Sequence, residues 1–140
     1  MNIEDLMTRS VITIAADTLV YEALKMLNKN DISCLVVEDN SLIVGIVTGR
    51  DFLERVLEKC RNSKETKISE IMTRRVITGK PDMDINEATK LMFKNKVKKL
   101  PIVDGNRLVG LVTLTDIARA TSMNRKTIGL LDQLSNMHAL

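Results

Sequence analysis

Tryptophan is absent from this chain, and its aromatic residues are one tyrosine and two phenylalanines, Tyr21, Phe52 and Phe93. With so few rings, stacking platforms of the kind that grip single-stranded nucleic acid are scarce. Cysteine and histidine are nearly as scarce: Cys34 and Cys60 lack a CxxC spacing, and the single histidine, His138, stands near the C-terminus. Metal ligation and a disulfide framework are therefore not expected, and both thiols read as buried or idle. No apolar run approaches the roughly 20 residues that cross a bilayer. The start, MNIEDLM, is acidic and lacks the basic and then apolar order of a secretory signal, so a cytoplasmic protein is expected. An enzyme needs an activated nucleophile, an acid–base pair or a metal, and the chain carries no GxxxxGK[ST] phosphate loop either. A non-enzyme is the expectation.

What is present is a globular balance, 44% apolar and 28% charged residues in 140. That length suits one ordinary domain or two half-sized units sharing a core. Eight methionines beside many aliphatic residues point to a core of flexible and branched side chains. The net charge of +3 is unevenly spread: residues 1–66 hold 8 Lys/Arg against 11 Asp/Glu, and residues 67–140 hold 13 against 7. The second half is the basic one.

Sliding the chain on itself by 65 residues aligns 6–55 with 71–120 without a gap, and nineteen of the fifty pairs are identical. MTRSVIT (7–13) meets MTRRVIT (72–78), EALK (22–25) meets EATK (87–90), and VGIVTGRD (44–51) meets VGLVTLTD (109–116). A duplicated unit of about fifty residues follows. Each copy opens on a β-branched run, "VITI" or "VIT", read as a strand. A helix comes next, with Val20, Ala23, Leu24 and Leu27 at i, i+3, i+4, i+7 in the first copy and Ile85, Ala88, Thr89 and Met92 in the second. Asp84 with Glu87 suits a capping start for the second helix, and Asp17 or Thr18 for the first. Two strands joined by Asp39-Asn40, or by Asp104-Gly105-Asn106, read as hairpins. A closing helix in the first copy would present Phe52, Leu53, Val56, Leu57 and Cys60 as its apolar face. The fold class expected is α/β, a β-α-β-β-α unit written twice: 1–60, a polar linker at 61–67, 68–121, and a tail at 122–140 with the apolar spacing of a short helix.

The doubled T-x-x-D admits two readings. In one it is a capping box, the Thr hydroxyl taking a free N–H and the acid favouring the positive end of the helix. In the other the same turn meets a nucleotide, the hydroxyl on a phosphate oxygen and the carboxylate on vicinal ribose hydroxyls.

These residues together, "LMTRSVIT", "IMTRRVIT", "GIVTGRD" and "KKLPIVDGNRLVGLVTLTD" (98–116), resemble a tandem pair of CBS domains, the arrangement called a Bateman module, over about residues 3–121. The resemblance implies two units packed by their sheets with pseudo-twofold symmetry, and clefts for adenosine-containing ligands: AMP, ADP, ATP or S-adenosylmethionine. It also implies a homodimer and a regulatory role without a required cofactor. By the same resemblance Asp51 and Asp116 match ribose acceptors, and Thr48 and Thr113 match a ribose or phosphate contact. Ala15-Ala16 and Lys80-Pro81 would border adenine, and backbone at Ile32 to Cys34 and Val97 to Lys99 would bond it. Lys98 and Lys99 stand where cations reach phosphates, next to Pro101. The first copy departs from this pattern, with "SCLV" (33–36) in place of "KKLP", and Arg50 is the candidate substitute cation. Unequal sites are expected, with phosphate favouring the second.

The rival class is a nucleic-acid-binding protein using Lys94, Lys96, Lys98, Lys99, Arg74, Arg75, Arg125 and Lys126. Against it stands a solvated helix face, the usual place of a lysine run. A sensing module is expected to act on an effector protein in trans, through a shift between conformations.

Overall fold

The computed structural model of this chain describes residues 1–121, so the expected tail helix lies outside the described residues. The fold is mixed α/β, and the two copies of the repeat are the framework of two compact units. Of the described residues, one unit is Ile12–Val76, and the other joins Met1–Val11 to those from Ile77 to Thr121. Repeat and packing unit thus divide the chain at different places.

In the unit Ile12–Val76, a three-stranded sheet is ordered β1 (Thr13–Ala15), β2 (Cys34–Asp39), β3 (Leu42–Thr48). β1 runs parallel to β2, with Thr13 level with Val36, and β2 runs antiparallel to β3, with Cys34 level with Thr48. The hairpin turn centres on Asn40-Ser41, one residue later than expected; both have positive φ, 52° and 65°, as a two-residue turn of the primed type requires. Helix α1 (Val20–Asn30) buries the expected stripe: Val20, Ala23 and Leu27 meet Leu35, Val37 and Val47 in one core, with Leu24 at its margin. Neither Asp17 nor Thr18 caps this helix. Its first N–H groups go instead to linker carbonyls, Val20 N to Thr66 O at 2.8 Å and Tyr21 N to Ser63 O at 2.9 Å. The polar segment 61–67 is therefore a backbone cap, which its composition does not reveal.

The closing helix of this unit begins as α2 (Gly49–Phe52) and widens into a π turn at Leu53–Leu57. The wider turn stacks Phe52 over Val56 on the core and swings Leu53 and Leu57 outward, 45% and 70% exposed. Cys60 is exposed as well. Of the five residues expected on the apolar face, two are buried.

The other unit repeats the plan with α3 (Ile85–Asn95), β4 (Lys99–Asp104), β5 (Arg107–Thr113) and α4 (Leu114–Ala120). Asp84 caps α3 through Asn86 N at 2.9 Å, although among the described residues Glu87 adds no reciprocal bond. The strand expected at "VIT" (76–78) does not form. Only Gly79 pairs, as a parallel bridge to Ile102, through Gly79 N to Pro101 O and Val103 N to Gly79 O, both 2.9 Å. The next rung of such a ladder needs an N–H from residue 101, and proline has none. Val36, the matching residue of the first copy, has that N–H, and β1 is a strand there.

Each opening segment docks on the other copy's core, and the bonds match at the 65-residue offset. Ile3 N donates to Met83 O (2.9 Å) and Ile68 N to Thr18 O (2.8 Å), so the 3-10 turns Ile3–Asp5 and Ile68–Glu70 sit alike. Both isoleucines are fully buried. The repeated M-T-R now has a structural account. Met7 lies over Gly110 and Met72 over Gly45, where a Cβ on Gly45 would stand 2.5 Å from Met72 Sδ. Thr8 and Thr73 exchange backbone bonds with Leu111 and Ile46 at the sheet edge, and Arg9 and Arg74 donate to Glu4 O and Ser69 O. Each copy's motif thus completes the sheet and core of the other.

Because Ile3 and Ile68 play one part in two units, Ile3→Ala and Ile68→Ala should each cost about 2–5 kcal/mol in urea denaturation, the range for a fully buried aliphatic truncation. Gly45→Ala and Gly110→Ala should cost about 1–3 kcal/mol by overpacking against Met72 and Met7, relieved when the methionine is shortened to alanine in the same chain.

Candidate functional site

The site grows from the two strand-to-helix turns. At the second, Thr113 leaves β5 in extended geometry and caps α4 reciprocally: its N–H donates to Asp116 Oδ2 at 2.9 Å, and its Oγ1 accepts from Asp116 N at 3.1 Å. The capping reading of T-x-x-D is thus realised. The strand register sets Lys99 opposite Thr113, and Leu114 N donates to Lys98 O at 3.1 Å. Lys98, Lys99, Thr113 and Asp116 are accordingly gathered around one turn, all four half-buried. Asp116 Oδ1 accepts no hydrogen bond among the described residues. Among the described residues the turn therefore combines a hydroxyl, a carboxylate with one oxygen accepting no bond and two nearby cationic residues, which suits a ligand carrying both a diol and an anion.

The first turn shares the box but differs around it. Thr48 N donates to Asp51 Oδ2 at 2.9 Å, and Cys34, buried, stands opposite Thr48 where the second copy has Lys99. Asp51 is 8% exposed. Its Oδ1 accepts from Thr73 Oγ1 at 3.1 Å and lies 3.8 Å from Arg55 Nε. Arg55 in turn donates from Nη1 to Ile71 O (3.0 Å) and Met72 O (2.9 Å). Arg50, the expected substitute cation, already gives its Nε to Glu54 Oε1 at 2.7 Å on the outer surface. That hydrogen bond, and then Glu54's charge, raise the guanidinium's pKa above its ordinary value. Being an exposed pair it adds little to stability.

Other expected contacts lie elsewhere. The N–H groups of Ile32 and Val97 close the C-terminal turns of α1 and α3, on Leu27 O (3.1 Å) and Met92 O (3.0 Å). The carbonyls of Ala16 and Pro81 hold the 3-10 turns, through Ser69 N (2.9 Å) and Glu4 N (3.0 Å). Gly79 is level with Ile102, so Lys80, exposed, lies past the Val103 end of β4, about 13 Å along the strand from the Lys99–Thr113 end. Ala15 is likewise level with Glu38, at the far end of β2 from Cys34. Pro101 is buried in β4 opposite Leu111. Register therefore brings the lysine pair to the Thr113–Asp116 turn and keeps Lys80 away from it, while in the other unit Ala15 stands at the far end of β2 from the Thr48 turn. Thr73 and Arg55 stand at Asp51 without having been singled out. The repeated M-T-R held the signal for Thr73; for Arg55, whose aligned partner is Ala120, the sequence offers none.

Among the described residues no group of three or more His, Cys, Asp and Glu side chains is placed to hold a metal ion, and no helix is long and apolar enough to cross a membrane.

The family model for the CBS domain matches residues 3–58 and 68–122, so the chain belongs to the CBS domain family and carries its domain twice. It is 29% identical over 137 residues to the CBS domain-containing protein YhcV of Bacillus subtilis, covering 98% of this chain and 97% of that one. It is 39% identical over 118 residues to inosine-5′-monophosphate dehydrogenase of Methanocaldococcus jannaschii, covering 83% of this chain but spanning only 23% of the enzyme. Among solved structures it is similar to the CBS domain pair of protein MJ0100 in complex with 5′-methylthioadenosine and S-adenosyl-L-methionine, at 31% identity and a TM-score of 0.78 over 87% of this chain and 96% of that one.

The inequality of the two turns predicts unequal side-chain deletions. Thr73→Val should cost about 1 kcal/mol by loss of its bond to Asp51, whereas Thr8→Val, at the aligned and exposed position, should stay within about 0.5 kcal/mol. Paired urea titrations of the two variants measure the difference.

Proposed function

We propose that this CBS pair is a regulatory module that binds an adenosine-containing ligand, AMP, ADP, ATP or S-adenosylmethionine, and passes the binding event to a partner protein as a change in conformational population. The observation that carries this reading is the second turn, where Lys98 and Lys99 flank the Thr113–Asp116 box. A carboxylate with one oxygen unclaimed can accept from a ribose diol, and a lysine ammonium within reach can take a phosphate or a carboxylate. The solved CBS pair holding 5′-methylthioadenosine and S-adenosyl-L-methionine supports the adenosine part, since both ligands carry that nucleoside. In this reading Asp116 is the ribose acceptor, Thr113 orients it, and Lys98 and Lys99 neutralise the anion.

Signalling follows from linkage. A ligand that favours one arrangement by about 1–3 kcal/mol changes a partner's affinity for that arrangement roughly 5- to 150-fold, and the partner changes the ligand's affinity equally. The partner is an effector protein in trans, reached by the module alone or as a homodimer.

Calorimetric titration of AMP, ATP, S-adenosylmethionine and GTP into the full chain tests the proposal. Adenosine ligands should bind and GTP should not. Asp116→Ala should weaken binding at least about tenfold, the loss expected when a charge-assisted pair to a hydroxyl worth about 1.5–3 kcal/mol is removed. Equal binding of all four ligands to wild type and Asp116→Ala sinks the reading. Association with DNA or RNA that falls steeply with salt, without any adenosine response, would transfer the function to nucleic acid.

A further inference from the structure

We infer that the first turn is self-occupied: Thr73 and Arg55 fill the place at Asp51 that a ribose would take, so that the chain binds one ligand, at Asp116, and these two side chains set that number. The inference rests on the adenosine reading for its ligand and on geometry for its asymmetry. At Asp51, Oδ2 is held by Thr48 N and Oδ1 by Thr73 Oγ1, with the Arg55 guanidinium 3.8 Å beyond. A diol approaching this carboxylate must displace a hydroxyl that already makes the same kind of bond, and must enter where only 8% of the residue is accessible.

Two features hold Arg55 in place. The π turn at Leu53–Leu57 carries it, and a π turn departs from the regular helix that continues as α4 in the second unit. Its Nη1 bonds the carbonyls of Ile71 and Met72, at the end of the segment that also delivers Thr73. The pairing of a guanidinium with two backbone carbonyls holds the fork beside the carboxylate. At the aligned positions the second unit has Ala120 and Thr8; alanine has no donor to offer, and among the described residues Thr8 Oγ1 makes no bond to Asp116.

The test titrates AMP into the full-length wild type, Asp51→Ala, Asp116→Ala, Arg55→Ala, Thr73→Val and the Arg55→Ala/Thr73→Val double variant, and follows amide hydrogen exchange at Thr48 and Thr113 without ligand. Wild type should bind one AMP per chain, lost in Asp116→Ala and kept in Asp51→Ala, while the double variant should bind two. Two AMP per wild-type chain, or one in the double variant, overturns the inference. Arg55→Ala also forfeits the bonds to Ile71 and Met72; Thr73→Val keeps them, so a second site appearing there separates an opened carboxylate from a loosened unit. If no protein in the series binds AMP, ATP or S-adenosylmethionine, the adenosine reading has failed, and exchange alone decides the geometry: Thr48 N–H exchanging at least about tenfold faster in the double variant, with Thr113 unchanged, upholds a held Asp51, and equal rates overturn it.

Discussion

Everything in this molecule hangs on the reciprocal docking of two short segments. Ile3 and Ile68, fully buried in one-turn 3-10 helices, anchor residues 1–8 and 66–73, and each segment completes a core built from the other copy of the repeat. Burying one such side chain is worth roughly 1.5–3 kcal/mol, and the backbone bonds around it repeat donor for donor at the 65-residue offset. The same segments bring the methionines that cover Gly45 and Gly110, and one of them brings the threonine that reaches Asp51. Core and site are therefore coupled through a single element.

Much of this was legible in the sequence. The gapless offset, the helical stripes at Val20 to Leu27 and Ile85 to Met92, and the T-x-x-D boxes came from local periodicity and spacing, which a chain cannot hide. Misreadings arose wherever a distant partner decided the outcome. The cap of α1 is a pair of carbonyls from 61–67, invisible to a search for side-chain caps. The strand at 76–78 is lost because of Pro101, twenty-odd residues away in sequence but adjacent in the sheet. The apolar face at 52–60 fails because a π turn changes the period that the face assumed.

The site shows the same division. Lys98, Lys99, Thr113 and Asp116 are close in sequence and joined by one hairpin, so motif and geometry agree. Lys80, Pro81 and Ala16 come from resemblance alone, and register sets their neighbours Gly79 and Ala15 level with Ile102 and Glu38. The charge asymmetry between the halves acquires a location as well. The lysine pair borders the half-buried carboxylate, and the arginine at position 55 borders the one withdrawn from solvent. One copy sets two lysines beside its turn, and in the other the arginine bonds two backbone carbonyls.

The exchange of opening segments also bears on how such a chain could have arisen. A lone fifty-residue copy would own a core missing its last stave and a stave fitting someone else's core. Two identical lone copies, by contrast, would mend one another. Fusing them end to end preserves every bond of that exchange while removing the need for two molecules to meet, and only after fusion are the copies free to differ, as positions 34 and 99, and 55 and 120, now do. The duplication is in this sense a dimer written as one polypeptide, and the division of labour between its turns is what single authorship permits.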